Sequence, residues 1–108
     1  MRRSLFALLL ALPLSAAAQP SDGAEVWHRH CVTCHGDDGR GQTEQGRKLF
    51  VPDLTRKDWQ SSRSDEQIRS AIREGSESGM PEFKDKLAKK ELDALVRFVR
   101  HLGPQPGR

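Results

Sequence analysis

The clearest hydrophobic period lies near the end of the chain. Leu92, Leu95, Val96, Val99 and Leu102 recur at i, i+3, i+4, i+7 and i+10, with Phe98 at the margin of the stripe. That spacing lines one face of a helix, and Gly103-Pro104 ends it. A second helix is predicted from Ser64. Gln67 stands three residues on as in a capping box, Ile68, Ala71 and Ile72 form a short apolar stripe, and Gly75 is a natural stop. A third is predicted from Asp22, with Glu25 three residues later resembling a cap. Its Gly23, Ala24, Trp27 and Cys31 mark one face, and it should end near His35. Between these elements the period fails. In residues 36–63, Leu49, Phe50, Val51 and Leu54 are apolar, but Pro52 interrupts them and argues against a strand interior. The expectation is a long loop with a short helix near Thr43–Leu49, and a second irregular stretch over 75–86. A loop of such length is unusual unless it serves something. The fold class predicted is all-α, with three main helices and long loops.

Composition changes this picture at the N-terminus. Arg2 and Arg3 precede an apolar run from Leu5 to Leu14, broken only by Pro13, and Ala16-Ala17-Ala18 then offers small residues. This is the pattern of a secretory signal with an A-x-A cleavage site, and the run is too short for a membrane span. The expected organisation is a cleaved signal peptide over 1–18 and one domain over 19–108. Loss of Arg2 and Arg3 lowers the 18 basic residues to 16 against 15 acidic ones, so the mature chain carries about +1. Mixed charge and few aromatics exclude a nucleic-acid binder. A mature domain this short, in a chain that is 31% charged, is poorly supplied with apolar side chains for a core. Domains of this size commonly lean on a disulfide, a metal or a cofactor.

The candidate chemistry lies in Cys31-Val32-Thr33-Cys34-His35. Two cysteines three residues apart share a helical face, and a disulfide between them would close a trivial loop. A histidine directly after the second cysteine makes this the attachment pattern of a c-type haem. Each thiol adds to one vinyl group, and His35 is placed to ligate the iron. Two rivals fare worse. A structural zinc site needs a further ligand pair, and His28 and His30 crowd the same helix. A redox dithiol wants a βαβ context that the pattern lacks. A covalent haem also answers the shortage of core, and export fits attachment outside the cytoplasm.

For the second axial ligand, Met80 is the one methionine left after the leader. A lone methionine is ordinarily a packing residue. Here Gly79 and Pro81 flank it in an irregular segment, which shapes a loop and favours a ligand. His101 falls opposite the Leu92–Leu95–Val99 stripe and should face water, and His28 lies three residues before Cys31. The metal ligands expected are His35 and Met80.

With these residues in place, Gly23 to Leu102 resembles a class I c-type cytochrome of the bacterial monohaem kind. Gly79-Met80-Pro81 is similar to the distal loop that supplies the methionine ligand. Pro52-Asp53-Leu54 resembles the segment whose proline carbonyl accepts the Nδ1–H of the proximal histidine, here His35. The resemblance implies that Leu54 packs on the haem face. It also implies a crossing of the first and last helices, with Gly23 and Trp27 meeting Leu95 and Phe98. The chain departs from the family at Ala88, where a capping Ser or Thr is usual; its absence costs the last helix about 1 kcal/mol unless Asp85 caps a turn earlier. It has no tyrosine. Trp59 fits two readings, an indole donor to a haem propionate and a half-exposed loop tryptophan.

The function expected is a periplasmic electron carrier with one haem c held through Cys31 and Cys34, ligated by His35 and Met80, with Pro52, Leu54 and Trp59 completing the cofactor site. No residue is assigned acid–base or nucleophilic work, so no enzyme is expected. One alternative is an electron-transfer haem subunit of a larger periplasmic oxidase or dehydrogenase. Another is a haem sensor or peroxidase in which Met80 leaves the iron. The partners implied are a terminal oxidase, reductase or dehydrogenase met by a monomer or in a transient complex, with no nucleic acid and no integral membrane span. Lys84, Lys86, Lys89 and Lys90 fit either a docking patch or a solvated helix start.

Overall fold

Two helices far apart in sequence cross to make the frame. In a computed structural model, which describes residues 4–11 and 22–105, α1 (Asp22–His30) lies against α6 (Lys89–Leu102). The contact depends on a missing side chain. A Cβ on Gly23 would collide with the Ala94 carbonyl and come within 3.0 Å of Phe98 Cβ. Trp27 fills the crossing beside Phe98, with ring centroids 5.1 Å apart and tilted by 41°. Trp27, Val26 and Leu95 are the most completely buried large side chains here. The expected crossing of the chain ends is therefore present, with Gly23 seated on Ala94.

The first helix is interrupted where the sequence pattern runs on. Cys31 lies between α1 and the single turn α2 (Val32–His35), at φ −114° and ψ −28°. Hydrogen bonds from Cys31 N–H to the Trp27 carbonyl and from His35 N–H to the Cys31 carbonyl carry the axis through the break. The helix also begins at Asp22 itself, which the sequence pattern read as the cap. Most of the leader assigned to 1–18, including Arg2, Arg3 and Ala16–Ala18, lies outside the described residues.

The long loop contains two short helices. Helix α3 (Glu44–Leu49) starts where expected, because the Thr43 hydroxyl accepts from Gly46 N–H at 2.8 Å. It stops at Phe50, which takes a left-handed conformation with φ 54°. Helix α4 (Lys57–Ser61) has no counterpart in the sequence reading. Its position is set from outside: Gln60 Nε2 donates to the carbonyls of Leu54 at 2.8 Å and Val99 at 2.9 Å. Arg100 Nη1 donates to the Gln60 carbonyl at 2.6 Å, and Arg100 Nε pairs with Asp65 at 2.7 Å. These bonds tie the loop to α6.

Helix α5 (Asp65–Glu74) has the full capping box. Gln67 N–H donates to Ser64 Oγ at 3.1 Å, and Ser64 N–H donates to Gln67 Oε1 at 2.8 Å. Ile68 and Ile72 bury its inner face. At the start of α6 only half of such a box exists, since Ala88 has no side-chain acceptor. Glu91 Oε1 accepts from Ala88 N–H at 3.1 Å, and Glu91 also pairs with Arg29 of α1 at 3.2 Å. The last helix is thus held at its start by an acid from inside it, and Asp85 does not cap it. The core is Val26, Trp27, Leu54, Ile68, Ile72, Phe83 and the inner face of α6. No strand occurs among the described residues, and none of their helices is long and apolar enough to cross a membrane.

Candidate haem site

Helices α2, α5 and α6 and the two long loops enclose one cavity of about 270 Å³. Cys31, His35, Pro52, Leu54, Trp59 and Met80, distant in sequence, all line it. Cys34 does not; it is half-buried, and its carbonyl accepts from Thr43 Oγ at 2.9 Å. Ile68, Leu95 and Val99 make the deeper wall apolar.

His35 is fixed from one side. Trp27 Nε1 donates to the Gly36 carbonyl at 3.0 Å, and the Trp27 and His35 rings lie 5.6 Å apart. Burial holds the imidazole below its ordinary value of 6.5, so it is neutral at pH 7 with a lone pair to offer. The expected bond from His35 Nδ1 to the Pro52 carbonyl is not made: Nδ1 is buried with no partner. The Pro52 carbonyl instead lies against Gly41, 3.6 Å from where a Cβ would stand. Cys31 is also buried. Desolvation first, and the Cys34 thiol second, push its thiol up to about 11.

The Met80 loop supplies another part of the lining, through Ser76, Ser78 and Met80. Gly75 ends α5 at φ 72°, and a side chain there would meet the Pro81 carbonyl carbon at 2.8 Å. Ser76 N–H donates to the Met80 carbonyl at 2.9 Å. The other histidines stay outside: His28, His30 and His101 are exposed, and His101 Nδ1 lies 2.9 Å from the Arg97 carbonyl.

Trp59 Nε1 is the second buried polar atom without a partner. The Arg63 guanidinium stands over its ring, 4.8 Å from the centroid, and Arg63 also lines the cavity. A flat apolar group with an anionic edge fits this donor set: apolar walls, a neutral imidazole, a thioether, and an unpaired indole N–H beside a cation. The sequence reading missed Arg63, Ser76 and Ser78. Arg63 stands four residues after Trp59 but past the end of α4, in a stretch read from the sequence as loop. The lysines after Met80 fit a solvated helix start better than a patch. Lys84 pairs with Glu82 at 3.7 Å and Lys89 with Asp93 at 3.1 Å, while Lys86 lies over Phe83.

The chain is similar to known proteins. Residues 18–99 match the family described as cytochrome C oxidase, cbb3-type, subunit III. The cbb3-type cytochrome c oxidase subunit FixP of Bradyrhizobium diazoefficiens is 30% identical over 95 residues, which is 88% of this chain and 31% of that protein. The subunit CcoP of Rhodobacter capsulatus is 29% identical over 103 residues, 83% of this chain and 33% of that protein. The chain thus spans about a third of the length of these curated relatives. Among solved structures, the KustC0563 c-type cytochrome superposes with a TM-score of 0.73 at 40% identity, over 77% of this chain and 99% of that one. With the small all-α fold and the Cys31–His35 motif, these matches place the chain in the family of cytochrome c oxidase, cbb3-type, subunit III, as a c-type cytochrome domain, whose cofactor is covalently bound haem c.

Proposed function

We propose that the chain carries one haem c, which Cys31 and Cys34 would hold covalently and whose iron His35 and Met80 would ligate. The observation that carries this reading is that His35 and Met80, set far apart in sequence, line one apolar cavity with Cys31. The group supplies reversible one-electron transfer between ferric and ferrous iron. His35 presents a neutral imidazole, held in place by Trp27. Met80 offers a soft thioether, which favours the reduced iron over a second histidine. Pro52 and Leu54 form the wall beside His35, and Leu95 and Val99 keep water out. Trp59 Nε1 would donate to a haem carboxylate, with Arg63 adding positive charge at that edge.

The setting we propose is an electron-transfer subunit of a larger periplasmic terminal oxidase. Similarity to FixP and CcoP favours this over the free carrier. One observation supports the carrier, namely that the match to the KustC0563 cytochrome runs over 99% of that chain. Residues 1–18 act in this reading as a cleaved export signal, supported by their charge and apolar pattern.

A denaturing gel of the exported protein, stained for haem, tests the attachment. The colour is expected to stay with the band and to vanish in Cys31→Ala/Cys34→Ala; a colourless native protein overturns the reading. Size exclusion of the native extract tests the setting. Haem that elutes with terminal oxidase activity supports the subunit, and haem at the mass of the single chain supports the carrier.

A further inference from the structure

The loop that carries Met80 is closed by one side chain. Ser76 is the second residue after the end of α5, and each of its polar groups is spent inside the turn. Its N–H donates to the Met80 carbonyl at 2.9 Å. Its carbonyl accepts from Gly79 N–H at 3.2 Å. Its hydroxyl accepts from Met80 N–H at 3.2 Å and lies 2.9 Å from Ser78 Oγ. A serine hydroxyl has one proton to give and two lone pairs, so it can accept from Met80 and still bond to Ser78 Oγ in either direction. The two backbone bonds need no particular side chain. The bond that Met80 N–H makes needs a hydroxyl at position 76.

That bond lies where a loop would otherwise be loose. Residues 76–79 are exposed, and no other side chain among the described residues bonds to the Met80 backbone. Gly79 is at φ 125°, a conformation that lends the turn no stiffness of its own. Gly75 also lies against the Met80 carbonyl and the Pro81–Glu82 peptide, which leave no room for a side chain at that position. With Ser76 in place, Met80 is clamped and its side chain is directed into the cavity that it lines with Ser76 and Ser78.

The geometry points to Ser76 as the residue that positions Met80, holding its thioether over the cavity through the hydroxyl-to-amide bond. The inference rests on the reading of Met80 as an axial ligand. Ser76 itself touches no reacting atom; it acts through the Met80 backbone, and it sets how often the thioether leaves. A neutral hydrogen bond of this kind changes a local opening equilibrium about fivefold.

The test uses the haem-bound protein and the variants Ser76→Ala, Ser76→Thr and Met80→Ala. Three quantities are read: the thioether-to-iron charge-transfer band of the ferric protein, the rate at which added imidazole binds the ferric iron, and amide hydrogen exchange at Met80 and Leu95. In Ser76→Ala the band should persist. Imidazole binding and Met80 exchange should each quicken about fivefold, while Leu95 exchange stays as in the parent. Ser76→Thr, which keeps the hydroxyl, should return both rates to the parent values. Unchanged rates in Ser76→Ala overturn the positioning role, as does equal quickening at Met80 and Leu95 or a failure of Ser76→Thr to restore them. The ligand reading fails separately, if the band survives in Met80→Ala.

Discussion

At the scale of the residue, Gly23 and Trp27 show how one missing atom positions a site. Gly23 lets α1 approach the Ala94 carbonyl, which brings Trp27 onto Phe98 and, through Nε1, onto the Gly36 carbonyl beside His35. Adding one methyl there has nowhere to go except against backbone. Gly23→Ala should destabilise the haem-bound protein by about 1–3 kcal/mol, the usual range for overpacking. Denaturant unfolding followed by haem absorbance measures it, and a loss close to zero would mean that the two helices do not meet at Gly23. The glycine and the tryptophan were legible from their spacing to Cys31. The acceptor of the indole N–H was not, because a backbone carbonyl leaves no mark on the sequence.

At the scale of the element, α6 was the most legible and its start the least. Five apolar residues at helical spacing declare the buried face whatever surrounds it. The cap depends on a rotamer of Glu91. The hydrogen bond from Ala88 N–H first, and the Arg29 guanidinium of α1 after it, hold the Glu91 carboxyl below its ordinary value of 4.5. A carboxylate held low in the folded state adds stability at pH values above 4.5, and that stability is lost as the pH falls through its lowered value. Glu91→Gln should therefore melt below the parent at pH 7, and the gap should close on acidification. Thermal melts across that range check it; a gap independent of pH would assign the effect to packing. The reverse case is α4, five residues with one large apolar side chain and no side-chain cap from Arg56. Nothing local makes it a helix. It is held from outside: Gln60 donates to the carbonyls of Leu54 and Val99, and Arg100, 40 residues away in sequence, donates to the Gln60 carbonyl.

At the scale of the whole molecule, charge decides how the domain meets other proteins. The formal net charge is +3 with the leader, and two of those charges are Arg2 and Arg3. Among Lys84, Lys86, Lys89 and Lys90, two stand beside acids, and none of the four lines the cavity. A near-neutral surface with paired lysines gives little long-range steering. Electron exchange with an oxidase should then vary by less than about tenfold between low and physiological salt. Lys86→Glu/Lys90→Glu should leave that dependence nearly unchanged. Stopped-flow rates against ionic strength measure both, and a steep dependence abolished by the double variant would restore the lysines as a docking patch.

The sequence by itself determined the Cys31–His35 motif, the three main helices, the loop character of the Met80 segment, and that Cys31, His35, Pro52, Leu54, Trp59 and Met80 meet at one cavity. Each of these depends on local spacing, on glycine and proline, or on cysteine chemistry that reads the same in any context. Only the tertiary structure decided that Cys31 interrupts its helix, that the Pro52 carbonyl turns to Gly41, and that α4 exists. It alone brought Arg63 over Trp59 and Ser76 onto the Met80 amide. Those contacts arise from where a folded backbone carries its polar groups, and the residues that make them have no periodicity to announce it.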